Sequence, residues 1–209
     1  MSDEMTKPIL YSFRRCPYAM RARMSLLKSG MEVELREVIL RDRPEHMMEI
    51  SPKGTVPVLL LPDGTVIEES LDIMLWSLDE SWLVGDWKER IDVNDGDFKY
   101  HLDRYKYNNR YENVLSSEEH REHAVSILKT YEKRLSNHAY LCGDSISLTD
   151  LALSPFVRQF ANTDRAWFDQ LPLPHLLKWL EGILESNLFK ACMVKHKQWR
   201  DGDEPVYFS

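Results

Sequence analysis

The 209-residue sequence has only three cysteines, Cys16, Cys142 and Cys192, and no CxxC pair. Disulfide frameworks and zinc ribbons need several regularly spaced cysteines, so the sequence predicts neither. No apolar run approaches the ~20 residues that cross a bilayer, and the opening segment MSDEMTKPIL is too polar for a signal peptide. These absences favour a cytoplasmic protein with no membrane partner.

Positive charge is also scarce, because 27 lysines and arginines face 34 aspartates and glutamates, a formal net charge of −7. Recruitment of nucleic acid by bulk electrostatics is therefore not expected, although a local basic patch stays compatible with this balance. Hydrophobic residues make up 43% and charged residues 29%, which is the composition of a globular protein with a sizeable core rather than of a disordered chain.

The first eighty residues alternate between strand-like and helix-like patterns. An apolar run over 9–13 predicts a strand, and the helix that follows ends near Gly30. Further signals predict a strand near 33–39, a short helix after Pro44, a hairpin over 58–67 and a helix capped by Ser70. We therefore predict an α/β domain over 1–80 with the order βαβαββα.

The pattern changes after residue 80. Residues 81–92 read as an irregular linker, and no convincing strand follows, so residues 93–209 are predicted to be all-helical. Two capping boxes, Ser116 with Glu119 and Ser147 with Asp150, predict helix starts within this part. The whole chain is thus predicted as two domains.

The segment around Cys16 carries the clearest chemical signal. Cys16 lies between a strand end and a helix start, and Pro17 suits the first helical position. Free N–H groups and the positive end of the helix dipole there stabilise a thiolate, and Arg14 and Arg15 add positive charge nearby. The alternative is a small buried residue at a turn. The strand–Cys-Pro–helix context favours the functional interpretation.

Two further junctions have the features of a ligand site. The Val56-Pro57 bond is a candidate for cis geometry, which would turn the Val56 amide and carbonyl toward a peptide-like ligand. Glu69 and Ser70 lie where a strand ends and a helix begins, so a carboxylate and free N–H groups together could hold an α-amino acid. An ordinary edge strand and a plain capped helix are the alternatives.

These three features, in this order, resemble the glutathione-binding domain of the cytosolic glutathione transferases, and the resemblance spans nearly the whole chain. Cysteine in the segment RCPYA at 15–19, followed by Arg21 and Arg23, resembles the omega class and its bacterial relatives, where other classes use tyrosine or serine. The resemblance implies a glutathione transferase fold: an α/β thioredoxin-like N-terminal domain plus an all-α C-terminal domain.

The resemblance also implies roles for individual residues. Cys16 would be the thiol that attacks, or is attacked by, glutathione-bearing substrates. Val56 would hydrogen-bond the cysteinyl backbone of glutathione, and Glu69 with Ser70 would hold its γ-glutamyl end.

Arg43 stands where the omega pattern has lysine, and either cation can meet the glycyl carboxylate of glutathione. Lys53 is a nearby alternative for that contact. Ala19 occupies the place of the second cysteine of a dithiol glutaredoxin, which excludes an intramolecular disulfide at CxxC spacing.

The implied activity is thiol transfer or dehydroascorbate reduction through a mixed disulfide at Cys16, with glutathione as co-substrate and a small electrophilic or disulfide second substrate. No metal is implied, and the state implied is a homodimer. One alternative is a non-catalytic regulator that binds a protein partner, as the stringent-starvation proteins do. Another is a different glutathione enzyme, such as a dehalogenase, an isomerase or a glutathionyl-hydroquinone reductase.

The second substrate is expected against the first long helix of the C-terminal half. There Tyr107 and Tyr111 are spaced to share a helical face, although core packing or a subunit interface would explain them equally well. The pair His120 and His123 has metal-compatible spacing, but two ligands do not make a site, so we expect no metal there.

Overall fold

The structure, a computed structural model, describes residues 7–112 and 114–209. Residues 1–6, which begin the polar opening segment and the predicted first domain, lie outside the described residues. The chain divides into two compact units. One, the α/β unit, contains the chain up to Glu80 together with residues 186–209, and the other, the helical unit, contains residues 81–185.

The α/β unit is built on a five-stranded mixed sheet with the strand order β4-β3-β1-β2-β5. Strand β1 pairs in parallel with β2 and antiparallel with β3, as the predicted βαβ and hairpin order requires. The elements are β1 (Ile9–Ser12), α1 (Pro17–Ser29), β2 (Val33–Glu37), α2 (Glu45–Ile50), β3 (Val58–Leu60), β4 (Val66–Ile67), α3 (Ser70–Ser77), α10 (Asn187–Cys192) and β5 (Tyr207–Phe208).

The predicted limits of α1 are confirmed. Pro17 opens the helix, and Gly30 closes it with a φ of 71°, a left-handed conformation that glycine adopts without steric cost. Helix α3 differs in one detail, because Ser70 is its first helical residue and Glu69 is the flanking N-cap residue. The prediction that Ser70 caps this helix is therefore wrong, since Ser70 already belongs to the first turn.

The end of the chain differs from the all-helical prediction for 93–209. Residues 186–209 fold with the α/β unit, and β5 extends the sheet by pairing antiparallel with β2. Phe208 packs in the cluster on the α1 face of the sheet, whereas Trp199 packs in the cluster on the opposite face. The C-terminal segment therefore contributes to both layers of the α/β core.

The helical unit contains six α-helices in the described residues, with a π-helical turn between α4 and α5. They are α4 (Trp87–Val93), α5 (Lys99–Lys106), α6 (Ser117–Leu135), α7 (Leu148–Ala161), α8 (Arg165–Phe168) and α9 (Pro174–Glu185). Both capping boxes are confirmed, at Ser116 for α6 and at Ser147 for α7. Half of the predicted linker 81–92, residues 87–92, lies in α4 instead.

Two tyrosines of the predicted substrate region are not on a helix. Helix α5 ends at Lys106, Tyr107 flanks its end, and Tyr111 follows a short 3₁₀ turn. The prediction that Tyr107 and Tyr111 share a helical face is therefore wrong. Arg110 lies over the Tyr107 ring at 4.2 Å and Arg104 over the Tyr111 ring at 4.5 Å.

Candidate active site around Cys16

Cys16 occupies the N-cap position of α1, as the sequence predicts. Its backbone is extended, with φ −77° and ψ 124°, and its N–H donates to the Phe13 carbonyl at 2.9 Å, which closes the turn before the helix. The thiol is half-buried, and its Sγ lies 3.8 Å from the Val56 carbonyl oxygen. The sulfur thus lies at the end of the helix where unpaired N–H groups favour negative charge.

A buried carboxylate, that of Glu37, fixes the loop that carries Cys16. Glu37, at the end of β2, accepts the backbone N–H of Arg14 at 2.8 Å and the Nη1 of Arg23 at 3.2 Å. Burial raises the pKa of Glu37, while those two donors oppose the rise. The Arg23 guanidinium is fully buried and completes an ion pair beneath the loop. This anchor holds the turn that presents the thiol.

Arg21 and Arg23, which follow the segment RCPYA in the sequence, have no role predicted beyond the resemblance. Both are fully buried. Long buried basic residues inside an otherwise apolar helix are a signal for a buried ion pair, and Glu37 at a strand end is an acidic residue that could supply it.

The two arginines expected to add charge beside the thiol have other partners. Arg14 donates from Nη1 to the Met193 carbonyl at 3.3 Å, and the Arg15 guanidinium lies 5.4 Å from the centre of the Phe13 ring. Arg14 therefore ties the Cys16 loop to the C-terminal segment, a contact that the sequence does not predict.

The Val56-Pro57 peptide bond is cis, as predicted. Val56 is buried, and its carbonyl faces the Cys16 thiol across the 3.8 Å contact already described. The structure thus brings Cys16 and Val56 together from positions 40 residues apart in the chain.

Glu69 and Ser70 lie side by side at the start of α3, but in different surroundings. Ser70 is buried, whereas the side chain of Glu69 is 67% exposed and its carboxylate accepts Lys53 Nζ at 2.5 Å. Lys53 therefore neutralises the carboxylate that the sequence analysis assigns to a ligand ammonium. The neighbouring Glu68 accepts the Ser51 hydroxyl at 2.5 Å, which fixes the approach to the helix.

Arg43 lies on the chain before α2 and is held against the loop that precedes β3. Its Nε donates to the Gly54 carbonyl at 2.6 Å, and no carboxylate lies within ion-pair distance of it in residues 7–112 and 114–209. Gly54 has a φ of 63°, and a Cβ there would lie 3.2 Å from Arg43 Nε, so glycine permits this close approach. Arg43 is thus an exposed cation near the loop that bears Val56.

The other two cysteines lie apart from this arrangement. Cys192 is fully buried and its Sγ lies 3.8 Å from the Met20 carbonyl. Cys142, in the helical unit, is half-buried and donates to Thr149 Oγ1 at 3.3 Å, and burial raises the pKa of its thiol. Neither occupies the N-cap position of a helix as Cys16 does.

Histidines of the helical unit form a local cluster. The Nδ1 atoms of His101 and His120 lie 2.9 Å apart, and His123 stacks on His101 with ring centres 4.6 Å apart. Within the part of the chain that the structure describes, no group of histidine, cysteine and carboxylate side chains has the arrangement of a metal site. None of the described helices combines the length and the apolar character needed to cross a membrane.

A mixed sheet with a cis-proline loop facing a cysteine at the start of the first helix defines a thioredoxin-like thiol domain. Similarity to known protein families narrows this class. Residues 10–81 match the model "Glutathione S-transferase, N-terminal domain", and residues 101–182 match "Glutathione S-transferase, C-terminal domain". The chain is 30% identical over 168 residues to probable glutathione S-transferase MSR-1 of Nicotiana plumbaginifolia, covering 75% of each chain. The chain belongs to the glutathione S-transferase superfamily.

Other relatives come from more than one class. Probable glutathione S-transferase parA of Nicotiana tabacum is 27% identical over 212 residues, covering 93% of both chains. Glutathione S-transferase omega-1 of Rattus norvegicus is 25% identical over 207 residues, covering 92% of this chain and 83% of the relative. The omega 3C transferase of Trametes versicolor shares the fold, with a TM-score of 0.77 at 19% identity over 92% and 91% of the two chains. The subclass is not resolved by these similarities.

Proposed function

We propose that the protein is a cysteine-type, omega-like glutathione transferase that acts mainly as a thiol transferase, with Cys16 as the nucleophile. The observation that carries the proposal is the half-buried Cys16 thiol at the N-cap of α1, 3.8 Å from the Val56 carbonyl. A thiolate is stabilised at such a position and is both the attacking species and a good leaving group. The similarity to an omega-1 transferase supports the same class.

The reaction proceeds through two exchanges. The Cys16 thiolate attacks the glutathionyl sulfur of a mixed disulfide GS–SR, the S–S bond breaks, and RS⁻ leaves with the bonding electrons and takes up a proton. A second glutathione, as its thiolate, attacks the Cys16–SG disulfide, which releases GSSG and restores the Cys16 thiolate. Dehydroascorbate is a further proposed acceptor, reduced by the two electrons that convert two glutathiones into GSSG.

Four residues are proposed to hold glutathione. Val56 would pair with the cysteinyl backbone, Ser70 and the first N–H groups of α3 would bind the γ-glutamyl carboxylate, and Glu69 would meet its ammonium. Since Lys53 pairs with Glu69 at 2.5 Å in the free protein, the ligand ammonium would replace or share that contact. Arg43, exposed near Gly54, would meet the glycyl carboxylate.

The test is reduction of 2-hydroxyethyl disulfide by glutathione, coupled to glutathione reductase, in three forms of the protein. We expect Cys16→Ser to reduce turnover to the uncatalysed background, because a serine hydroxyl forms no mixed disulfide. The matched control Cys142→Ser removes the other half-buried thiol and keeps the wild-type rate. Turnover that survives in Cys16→Ser, with folding checked by circular dichroism, would remove Cys16 from the mechanism.

Conjugation of glutathione to electrophiles is a second candidate, since the parA relative matches this chain over 93% of both lengths. In conjugation, the sulfur of glutathione is itself the nucleophile, so an oxygen donor at position 16 can support it. Turnover of 1-chloro-2,4-dinitrobenzene by Cys16→Ser at or above the wild-type rate, combined with negligible wild-type thiol transfer, would favour this candidate.

We also propose that the protein assembles as a homodimer. Leu75 and Trp76 on α3 are 36% and 38% exposed, and adjacent exposed apolar side chains are a surface that a second copy can cover. Light scattering after size exclusion is expected to give twice the chain mass of 24.7 kDa. A mass of one chain across the micromolar range would contradict the proposal.

A further inference from the structure

A groove of about 790 Å³ in the α/β unit lies beside the Cys16 loop. Three segments line it: the loop between β1 and α1, the chain after β2, and the C-terminal segment. Five of its lining residues are basic, namely Arg14, Arg15, Arg41, Lys195 and Lys197. This concentration of positive charge contrasts with the net charge of −7 of the chain.

Most of that positive charge is not compensated inside the groove. Glu37 is the acidic lining residue, and its carboxylate is committed to the Arg14 N–H and to Arg23. Lys197 pairs with Asp203 at 2.7 Å. For Arg15, Arg41 and Lys195, all exposed, no carboxylate of residues 7–112 or 114–209 lies within ion-pair distance.

The neighbouring cavity shows that the excess of positive charge is confined to the groove. It measures about 360 Å³ and is lined by both signs, with Asp42, Glu45, Glu49 and Asp201 beside Arg43 and Arg200. Arg200 and Asp42 lie 3.7 Å apart there. A groove with several unpaired cations, next to a cavity lined by charges of both signs, is arranged for an anionic ligand rather than for general solubility.

The walls of the basic groove are fixed, and one of them, residues 13–15, directly precedes Cys16. Cys16 donates its N–H to Phe13, and both residues pack on the same apolar cluster, so the turn that presents the thiol is also a groove wall. The C-terminal segment is held to the end of β2 because the Trp199 N–H donates to the Glu37 carbonyl at 2.9 Å. Phe13, Val38 and Ile39 supply apolar lining.

We propose that this groove binds the anionic group, a carboxylate, sulfonate or phosphate, of the second substrate during thiol transfer at Cys16. The inference rests on the proposed function. In the first exchange, the R group of GS–SR lies in the groove while Cys16 attacks the glutathionyl sulfur, and RS⁻ departs with its anionic end near Arg41 and Lys195. The groove thus selects among leaving thiols by charge.

Three mixed disulfides of glutathione test the proposal. They are made from glutathione and 2-mercaptoethanesulfonate, 2-mercaptoethanol or cysteamine. Their R groups share a two-carbon chain and differ in charge, being negative, neutral and positive. Each kcat/KM is divided by the uncatalysed rate with free glutathione, which corrects for leaving-group reactivity. We expect the sulfonate to be preferred over the ammonium by about tenfold, and the preference to shrink as NaCl rises to 0.5 M.

The variant Arg41→Ala/Lys195→Ala removes two uncompensated charges, one from the chain after β2 and one from the C-terminal segment. We expect the sulfonate-to-hydroxyl ratio of kcat/KM to fall by about threefold for each charge lost. The matched control Lys178→Ala removes an exposed lysine of α9 in the helical unit and should leave the ratio unchanged. An unchanged ratio in the double variant, with turnover retained, would overturn the groove assignment and leave the proposed function standing.

Binding to Cys16→Ser protein provides a readout that needs no turnover. Isothermal titration with the same three disulfides is expected to rank their affinities sulfonate, hydroxyl, ammonium, and Arg41→Ala/Lys195→Ala in this background should remove the ranking. Equal affinities would overturn the groove assignment even if the wild type proved inactive. Ranked affinities without wild-type turnover would keep the groove as an anion site and reject the proposed function.

Discussion

The two half-buried cysteines, one in each unit, have opposite electrostatic surroundings. Cys16 caps the N-terminus of α1 and faces the Val56 carbonyl at 3.8 Å. Cys142 donates to Thr149 and lies 3.9 Å from an Asp86 carboxylate oxygen. Burial raises the pKa of Cys142, and Asp150 and Asp86 raise it further. Similar exposure therefore comes with different neighbouring charges and dipoles, which influence whether a thiolate forms.

Buried charged residues also have different structural roles in the two units. In the α/β unit, Glu37 and Arg23 form an ion pair that holds the loop before Cys16. In the helical unit, Asp150 accepts the Leu141 and Ser147 N–H groups and Trp179 Nε1, all neutral donors, and so fixes the start of α7. The first arrangement positions the loop of the proposed nucleophile, and the second stabilises a helix start.

The largest effect is expected from Glu37→Gln, which leaves the fully buried Arg23 guanidinium without its counter-ion. Removing one partner of a buried pair costs about 3–5 kcal/mol, so urea unfolding should show a loss of that order. The Cys16 loop also loses an acceptor for the Arg14 N–H, so the rate of Cys16 alkylation should change as well.

Asp150→Asn is the matched control for this prediction. It removes acceptor capacity from a buried network in the helical unit, so it should also lower stability, by about 2 kcal/mol. The rate of Cys16 alkylation in the folded protein should remain at the wild-type value. Equal alkylation rates in wild type and Glu37→Gln would show that the buried pair has no part in positioning the thiol.

An intermediate effect is expected from Glu69→Ala, which removes the carboxylate proposed to meet the ligand ammonium. The KM for glutathione should rise about tenfold, as expected for loss of a charged hydrogen bond, with the Cys16 alkylation rate unaltered. Steady-state kinetics at saturating disulfide measure the change. Glu181→Ala, an exposed glutamate of α9, should leave KM unaltered, and a KM equally unaltered in Glu69→Ala would show that the γ-glutamyl site is misplaced.

The smallest expected effect is the pH dependence of the protein's Tm that arises from two histidines of the helical unit. Burial lowers the pKa of His101 and of His120, and the neighbouring His123 lowers both further. Below about pH 6.5, the unfolded chain therefore binds more protons than the folded chain. The folded protein is thus most stable above about pH 6.5, and its free energy of unfolding decreases as the pH falls below that value. Tm should decrease by a few degrees between pH 7.5 and 5.5, because His120 is buried but solvent screens the partly exposed His101.

His101→Gln/His120→Gln should flatten that dependence, while His138→Gln, which alters an exposed histidine, should not. A wild-type Tm that is constant or rises over this interval would contradict the assignment of the two histidines as neutral in the folded protein.

Local signals were enough to predict much of the fold and the position of Cys16, the proposed nucleophile. Pro17 and Gly30 mark the ends of α1, and the boxes at Ser116 and Ser147 mark the starts of α6 and α7, because caps act through residues within one helical turn. Cys16 could be placed for the same reason, since its position depends on the strand and helix on either side of it.

Features that depend on distant contacts could not be predicted. Strand β5 has two residues, too few to show alternation, and its partner β2 lies some 170 positions earlier. The burial of Arg23 depends on Glu37 and on the C-terminal segment, where the Val194 carbonyl lies 3.4 Å from Nη2. Lys195 enters the basic groove only because that segment folds back on the sheet.

The central claim is that Cys16, and not Cys142, is the reactive thiol of a glutathione site. Iodoacetamide labelling of the native protein, followed over time by peptide mass spectrometry at pH 7 with and without glutathione, compares the two cysteines in one sample. We expect Cys16 to be modified first, glutathione to slow its modification, and Cys142 to be modified slowly in both samples. Equal rates for the two thiols, or no protection of Cys16 by glutathione, would contradict the claim.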